Sequence, residues 1–193
     1  MAENYMVYAR DLSITWGNDS RYWRWSHAEE TSGHTNEVAE LIIVWWLEVQ
    51  GKFDTTNLPH EKLYEVSFVV KLENHATGWN ITVKISLSLP NGNKQEILVD
   101  MSNRPREQWL EISAGMFRTC PENLGEIKFS FSQVDTNYFK KGLVIKGAKI
   151  ICCDEKDDAK EQIAVEEQNV AEGNNVVAKE KDATEEEDDE EEY

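Results

Sequence analysis

The chain has 193 residues and a formal charge of −17, held very unevenly. From Asp154 onward 18 acidic and 4 basic residues give −14, so residues 1–153 carry only −3 and have the size of one ordinary domain. No apolar run approaches the ~20 residues of a membrane span, the start Met1-Ala2-Glu3-Asn4-Tyr5-Met6-Val7-Tyr8 does not read as a signal peptide, and the odd count of three cysteines implies no closed disulfide framework. A cytoplasmic or nucleocytoplasmic protein, neither secreted nor inserted in a membrane, is expected.

The first informative segment is Ile14-Thr15-Trp16-Gly17-Asn18-Asp19-Ser20-Arg21-Tyr22-Trp23-Arg24-Trp25. A half-buried strand alternates apolar with polar and does not carry Gly-Asn-Asp-Ser between its aromatics. Indole faces beside short amide and carboxylate groups suit a hydroxyl-rich ring. The faces cover the C–H surface of a pyranose while the polar groups fix its hydroxyls. Trp16, Asn18, Asp19, Trp23 and Trp25 are therefore candidate carbohydrate-binding residues. The competing reading is that one or two of these indoles close the end of a core.

Leu41-Ile42-Ile43-Val44-Trp45-Trp46-Leu47 is continuously apolar, which fits a strand covered on both faces or a short buried helix. Tyr64, Val66, Phe68, Val70 and Leu72 alternate with their neighbours. So do Trp79, Ile81, Val83, Ile85, Leu87 and Leu89, and a turn at Pro90-Asn91-Gly92 then leads into Glu96-Ile97-Leu98-Val99 as a hairpin. Ile127, Phe129 and Phe131 alternate with lysine and serine, and Leu143 to Ile151 is a further β-branched run. Short strands with no long 3.6-residue period predict an all-β, antiparallel, jelly-roll-like β-sandwich over residues 1–153. Residues 154–193 lack an aromatic until Tyr193 and end in Glu185-Glu186-Glu187-Asp188-Asp189-Glu190-Glu191-Glu192. A disordered acidic tail is expected, because so little apolar surface cannot offset the ordering entropy; residues 155–171 are only a weak candidate for a transient helix, since nothing caps it convincingly.

Chemistry beyond binding finds little support. His27, His34, His60 and His75 are scattered and none pairs with cysteine at zinc spacing, so no metal or cofactor is expected. There is no Gly-x-Ser-x-Gly, and a glycosidase would need two carboxylates across a sugar, for which acidic residues in strands such as Glu111 and Glu126 are weak candidates. No catalytic residue is assigned and no enzyme is expected. Arg21, Arg24, Lys140, Lys141, Lys146 and Lys149 are a candidate basic patch for RNA, set against the absence of net positive charge. Cys152 and Cys153 are adjacent, which disfavours a bridge between them and makes them candidates for intermolecular disulfides.

Several ordered blocks carry a resemblance. Ala9-Arg10-Asp11-Leu12-Ser13-Ile14-Thr15-Trp16, Tyr22-Trp23-Arg24-Trp25, Glu37-Val38-Ala39-Glu40-Leu41 and Trp46-Leu47-Glu48-Val49-Gln50-Gly51-Lys52 are the first of them. Tyr64 to Leu72, Gln108-Trp109-Leu110-Glu111-Ile112 and Lys141 to Gly147 continue it. Together they resemble the Nictaba-type phloem lectins of plants, in particular the cucumber and melon group, over roughly residues 8–151. The resemblance implies a non-catalytic lectin of phloem sieve elements and companion cells. It implies binding to chitin oligosaccharides (oligomers of N-acetylglucosamine) and to the N-glycan cores of glycoproteins, with a role in defence. The family's sugar-contacting tryptophans would fall on Trp16 and Trp23, and its glutamate on Glu126. A second acidic position falls on Gln133, a departure that keeps hydrogen bonding but removes charge. A weak single site would gain from multivalency, so a homodimer is expected. The alternatives are an RNA-binding phloem ribonucleoprotein component and a phloem filament protein crosslinked through Cys152 and Cys153.

Overall fold

The computed structural model describes residues 4–29, 33 and 35–153; the expected tail at 154–193, with the weak helix candidate at 155–171, lies outside the described residues. Eleven strands are described: β1 (Asn4–Tyr8), β2 (Ser13–Ile14), β3 (Trp23–Glu29), β4 (Thr35–Leu41), β5 (Leu47–Asp54), β6 (Leu63–Thr77), β7 (Thr82–Ser88), β8 (Lys94–Asp100), β9 (Trp109–Arg118), β10 (Glu126–Gln133) and β11 (Lys141–Cys152). One sheet runs β3-β4-β11-β6-β9, with β1 also paired to β11, and the other runs β2-β5-β10-β7-β8. All the pairings are antiparallel. From β4 onward the chain crosses between sheets in the jelly-roll order, giving β4-β11-β6-β9 over β5-β10-β7-β8. The expected all-β antiparallel sandwich is the fold observed.

Alternation explains the layers. In β10, Ile127, Phe129 and Phe131 are buried between the sheets while Glu126 and Lys128 point outward. Phe68 of β6 meets Phe129 and Phe131 edge-on at 5.6 and 5.7 Å across the sandwich, a geometry that favours aromatic pairs over a face-to-face stack. The close packing requires Gly51 opposite Phe129, because a Cβ there would stand 2.1 Å from the ring. The hairpin at Pro90-Asn91-Gly92 forms as the sequence indicates, closed by Leu89 N–H to Asn93 O and by Gly92 in the left-handed region (φ 89°).

Two expectations change. Trp79 precedes β7 instead of opening it; its buried indole donates to the Lys141 carbonyl at 2.9 Å and ties the β6–β7 turn to β11. The apolar run 41–47 is neither a two-sided strand nor a helix. β4 stops at Leu41, only Val44 makes a bridge (to Lys140), and Trp45 and Trp46 lie in a bend. The reason is topological. This is the corner where the chain leaves one sheet for the other, so the ladder cannot continue and Ile42, Trp45 and Trp46 turn to solvent.

Candidate binding site

The loop between β2 and β3 is a chain of tight turns. Gly17 N–H bonds Ile14 O, Asp19 N–H bonds Trp16 O, and both Tyr22 and Trp23 N–H bond Asp19 O, all at 2.9–3.0 Å. Trp16 is held at φ 59°, a left-handed conformation that costs a bulky residue energy. That conformation lifts its side chain outward, 48 % exposed, with the ring tilted against Tyr22 at 5.2 Å.

The aromatic cluster divides by role. Trp23 is 2 % exposed and packs in the core, with its indole N–H bonded to Thr15 O at 3.2 Å. Trp25 is half-buried and donates to Gly17 O at 2.8 Å, while Arg10 stacks on its outer face at 3.7 Å and binds Glu37 with two nitrogens. Trp23 and Trp25 thus hold the loop from below by its carbonyls, and Trp16 is the indole left facing outward.

The polar candidates divide as well. Asn18 is exposed and lines a shallow hollow with Trp16 and Ser20. Asp19 is engaged within the loop, accepting from the Arg21 backbone N–H at 3.0 Å and from its guanidinium at 2.7 Å. Those hydrogen bonds from the Arg21 side chain and backbone hold its carboxyl at about 2, below the ordinary 3.8. Because the folded value is the depressed one, the pair's contribution is complete above the unfolded value and disappears as pH falls through about 2. The Asp19 carboxyl followed by NMR should therefore stay ionised from pH 8 down to about 4 and titrate near 2. A midpoint near 4 would show that the ion pair does not form in solution.

Sequence reading missed the opposite wall. Trp45 (46 % exposed) and Trp46 (39 %) face Trp16 and Tyr22 across an apolar hollow of about 340 Å³, completed by Thr15, Val44 and Thr136. Trp46 donates its indole N–H to Glu48 at 3.1 Å, and Trp45 meets Phe139 edge-on at 6.2 Å. This wall is pinned by Lys140, fully buried, whose ammonium donates to the carbonyls of Trp45, Gln133 and Asp135. Three carbonyl acceptors match the three N–H bonds of an ammonium. Burial nonetheless draws its pKa below the usual lysine range. The signal for this wall was present in the Trp-Trp pair of the apolar run, once the run is understood as a sheet-crossing corner.

Gln133 and Glu126 are not brought together. They end the same strand, about 23 Å apart at ~3.3 Å per residue. Gln133 lies at the aromatic end, but its amide donates to Thr82 O at 2.9 Å and accepts from Asp135 N–H at 2.7 Å, so it supports the loop after β10. Glu126 pairs in register with Asp54, far along β5 from Glu48, where Thr15 and the Trp16 loop attach. It lies between Lys52 and Lys128, at 3.4 and 3.8 Å. Of the candidate basic patch, Arg21 pairs with Asp19, Arg24 with Glu40 and Lys149 with Glu111, and Lys140 is buried. Among the described residues Cys120, Cys152 and Cys153 are not joined in disulfides, and each is half-buried.

The fold and this end of it define a jelly-roll sandwich domain that presents an aromatic, turn-built surface. The chain belongs to the Phloem protein 2 family, whose pattern it matches over residues 2–152. It is 45 % identical over 147 residues to a protein named Lectin from Luffa acutangula, across 76 % of this chain and 69 % of that one. It is 41 % identical over 148 residues to Protein PHLOEM PROTEIN 2-LIKE A1 of Arabidopsis thaliana, covering 76 % of this chain and 60 % of that protein. Immune-associated nucleotide-binding protein 10 of the same plant is 42 % identical over 154 residues, covering 76 % of this chain and only 33 % of the relative.

Proposed function

We propose that residues 1–153 act as a lectin domain, without catalysis, in the phloem, and that the hollow between Trp16 and the Trp45–Trp46 wall receives oligosaccharides of N-acetylglucosamine, free or in N-glycans. The observation that carries this reading is Trp16 itself, half-exposed at a left-handed φ opposite two further exposed indoles. An apolar face on each side with amide and hydroxyl groups at the rim suits stacked pyranose rings, and the acetamide methyl adds apolar surface of the same kind. The Luffa relative, named a lectin, supports the general class. Of the residues singled out by sequence, Trp16 and Asn18 are assigned direct contact. Asp19, Trp23, Trp25 and Gln133 are assigned support of the loops, and Glu126 lies elsewhere. Residues 154–193 are taken as a separate acidic tail.

Titration with chitotriose, monitored by tryptophan fluorescence, is the direct test. Saturable binding with a blue shift is expected, since a sugar ring would replace water on Trp16, Trp45 and Trp46. Cellotriose, which lacks the acetamide, should bind at least several-fold more weakly. No spectral change with chitotriose at millimolar concentration would overturn the reading.

A further inference from the structure

The outer face of the five-stranded sheet carries a second cleft, of about 490 Å³, floored by β5, β10 and β7 and reaching Lys94 at the start of β8. Its chemistry differs from that of the aromatic end, because its one ring, Phe129, is buried beneath the floor. Asp11, in the turn before β2, lies at the edge of the cleft, and strand register arranges the rest of the lining in two rows. In one, Ser13 opposes Gln50, Gln50 opposes Ser130, and Ser130 opposes Ser86, with the two serine hydroxyls of that last pair 2.6 Å apart. In the other, Lys52 opposes Lys128, Lys128 opposes Ser88, and Ser88 opposes Lys94.

Like charges placed directly opposite on neighbouring strands destabilise a sheet. Lys52 and Lys128 are so placed and share one carboxylate, Glu126, at 3.4 and 3.8 Å. These separations exceed the 2.7–2.9 Å of a tight charge-assisted bond. The Lys52 and Lys128 ammonium groups therefore keep most of their donor capacity for a ligand, whereas Lys94 at the far end of the row is paired with Glu96. With strands ~4.8 Å apart, the lysine row spans about 14 Å, longer than one sugar ring.

We propose that this cleft binds an acidic oligosaccharide, a chain of uronic-acid units, at a site separate from the aromatic hollow. Carboxylates on successive rings meet the lysine row, and ring hydroxyls meet the row of serines and Gln50. A hydroxyl-and-amide floor without an exposed aromatic favours a sugar over a nucleic acid, whose bases need a stacking platform. Binding here is salt-sensitive, unlike stacking on indoles. The proposal does not depend on the ligand of the aromatic site.

The test is NMR titration of the ¹⁵N-labelled full chain with trigalacturonate, its methyl ester, a short oligouridylate and chitotriose. Trigalacturonate should shift the amides of Gln50, Lys52, Lys128 and Ser130 at about 0.01 M ionic strength, with affinity several-fold weaker at about 0.15 M. The neutral ester should bind at least tenfold more weakly. The double variant Lys52→Gln/Lys128→Gln, altered only at exposed side chains, should weaken binding at least tenfold, and Glu126→Gln should strengthen it several-fold by removing the competing carboxylate. Trp16→Ala should leave it unchanged. Equal binding of acid and ester, preference for the oligouridylate, displacement by chitotriose, or no shift on these strands would each overturn the proposal.

Discussion

Replacing Trp23 by alanine is expected to destabilise the folded domain by about 3–5 kcal/mol, the range for a buried large aromatic cut back to a methyl group. The indole is 2 % exposed, packs in the central cluster, and donates to Thr15 O at 3.2 Å. Its loss leaves a cavity and an unanswered carbonyl beneath the loop that carries Trp16. Domains of this kind have only about 5–15 kcal/mol in total, so such a variant sits near the edge of folding. Trp23→Phe separates the two contributions: the ring volume is mostly kept and the donor is lost, at about 1–3 kcal/mol. Urea unfolding reads both, as a lower midpoint at unchanged slope. A Trp23→Ala protein of wild-type stability that no longer binds sugar would return this indole to the ligand surface. The aromatic, turn-rich segment and the resemblance to the phloem lectins both point to that surface role.

What was legible in the sequence and what was not follow from the same physics. β7 and β10 announce themselves because one face meets the core and the other meets water, so Val83, Ile85 and Leu87, or Ile127, Phe129 and Phe131, fall on every second residue. The run from Leu41 to Leu47 has no such contrast. Continuous apolar character is equally consistent with burial on both faces and with a corner that exposes its indoles, and only the crossover from β4 to β5 decides. In the aromatic cluster, composition located the loop but not the direction of each ring. That direction depends on the left-handed φ of Trp16 and on where β3 begins, at Trp23. The separation of Glu126 from Gln133, by contrast, was already implied by the strand read over 127–131, since two residues that flank an extended segment cannot grip the same sugar ring.

Trp16→Ala is expected to do the reverse of Trp23→Ala: the fold persists and chitotriose binding weakens by about 2–4 kcal/mol, roughly thirty- to several-hundred-fold. The ring is 48 % exposed, so little core packing is lost with it. Its backbone φ of 59° adds a second signature. Alanine at that φ remains strained, whereas glycine adopts it without steric cost. Trp16→Gly should therefore lose affinity as Trp16→Ala does while matching or exceeding its stability, a pattern that a merely structural tryptophan would not give. The loop itself should keep its course in both variants, because its turns are closed by backbone bonds and by the Asp19–Arg21 pair, and Trp25 still holds Gly17 from below. Retained affinity in folded Trp16→Ala would remove this indole from the site and leave the Trp45–Trp46 wall to account for binding. Unfolding of both variants would instead make Trp16 part of the scaffold.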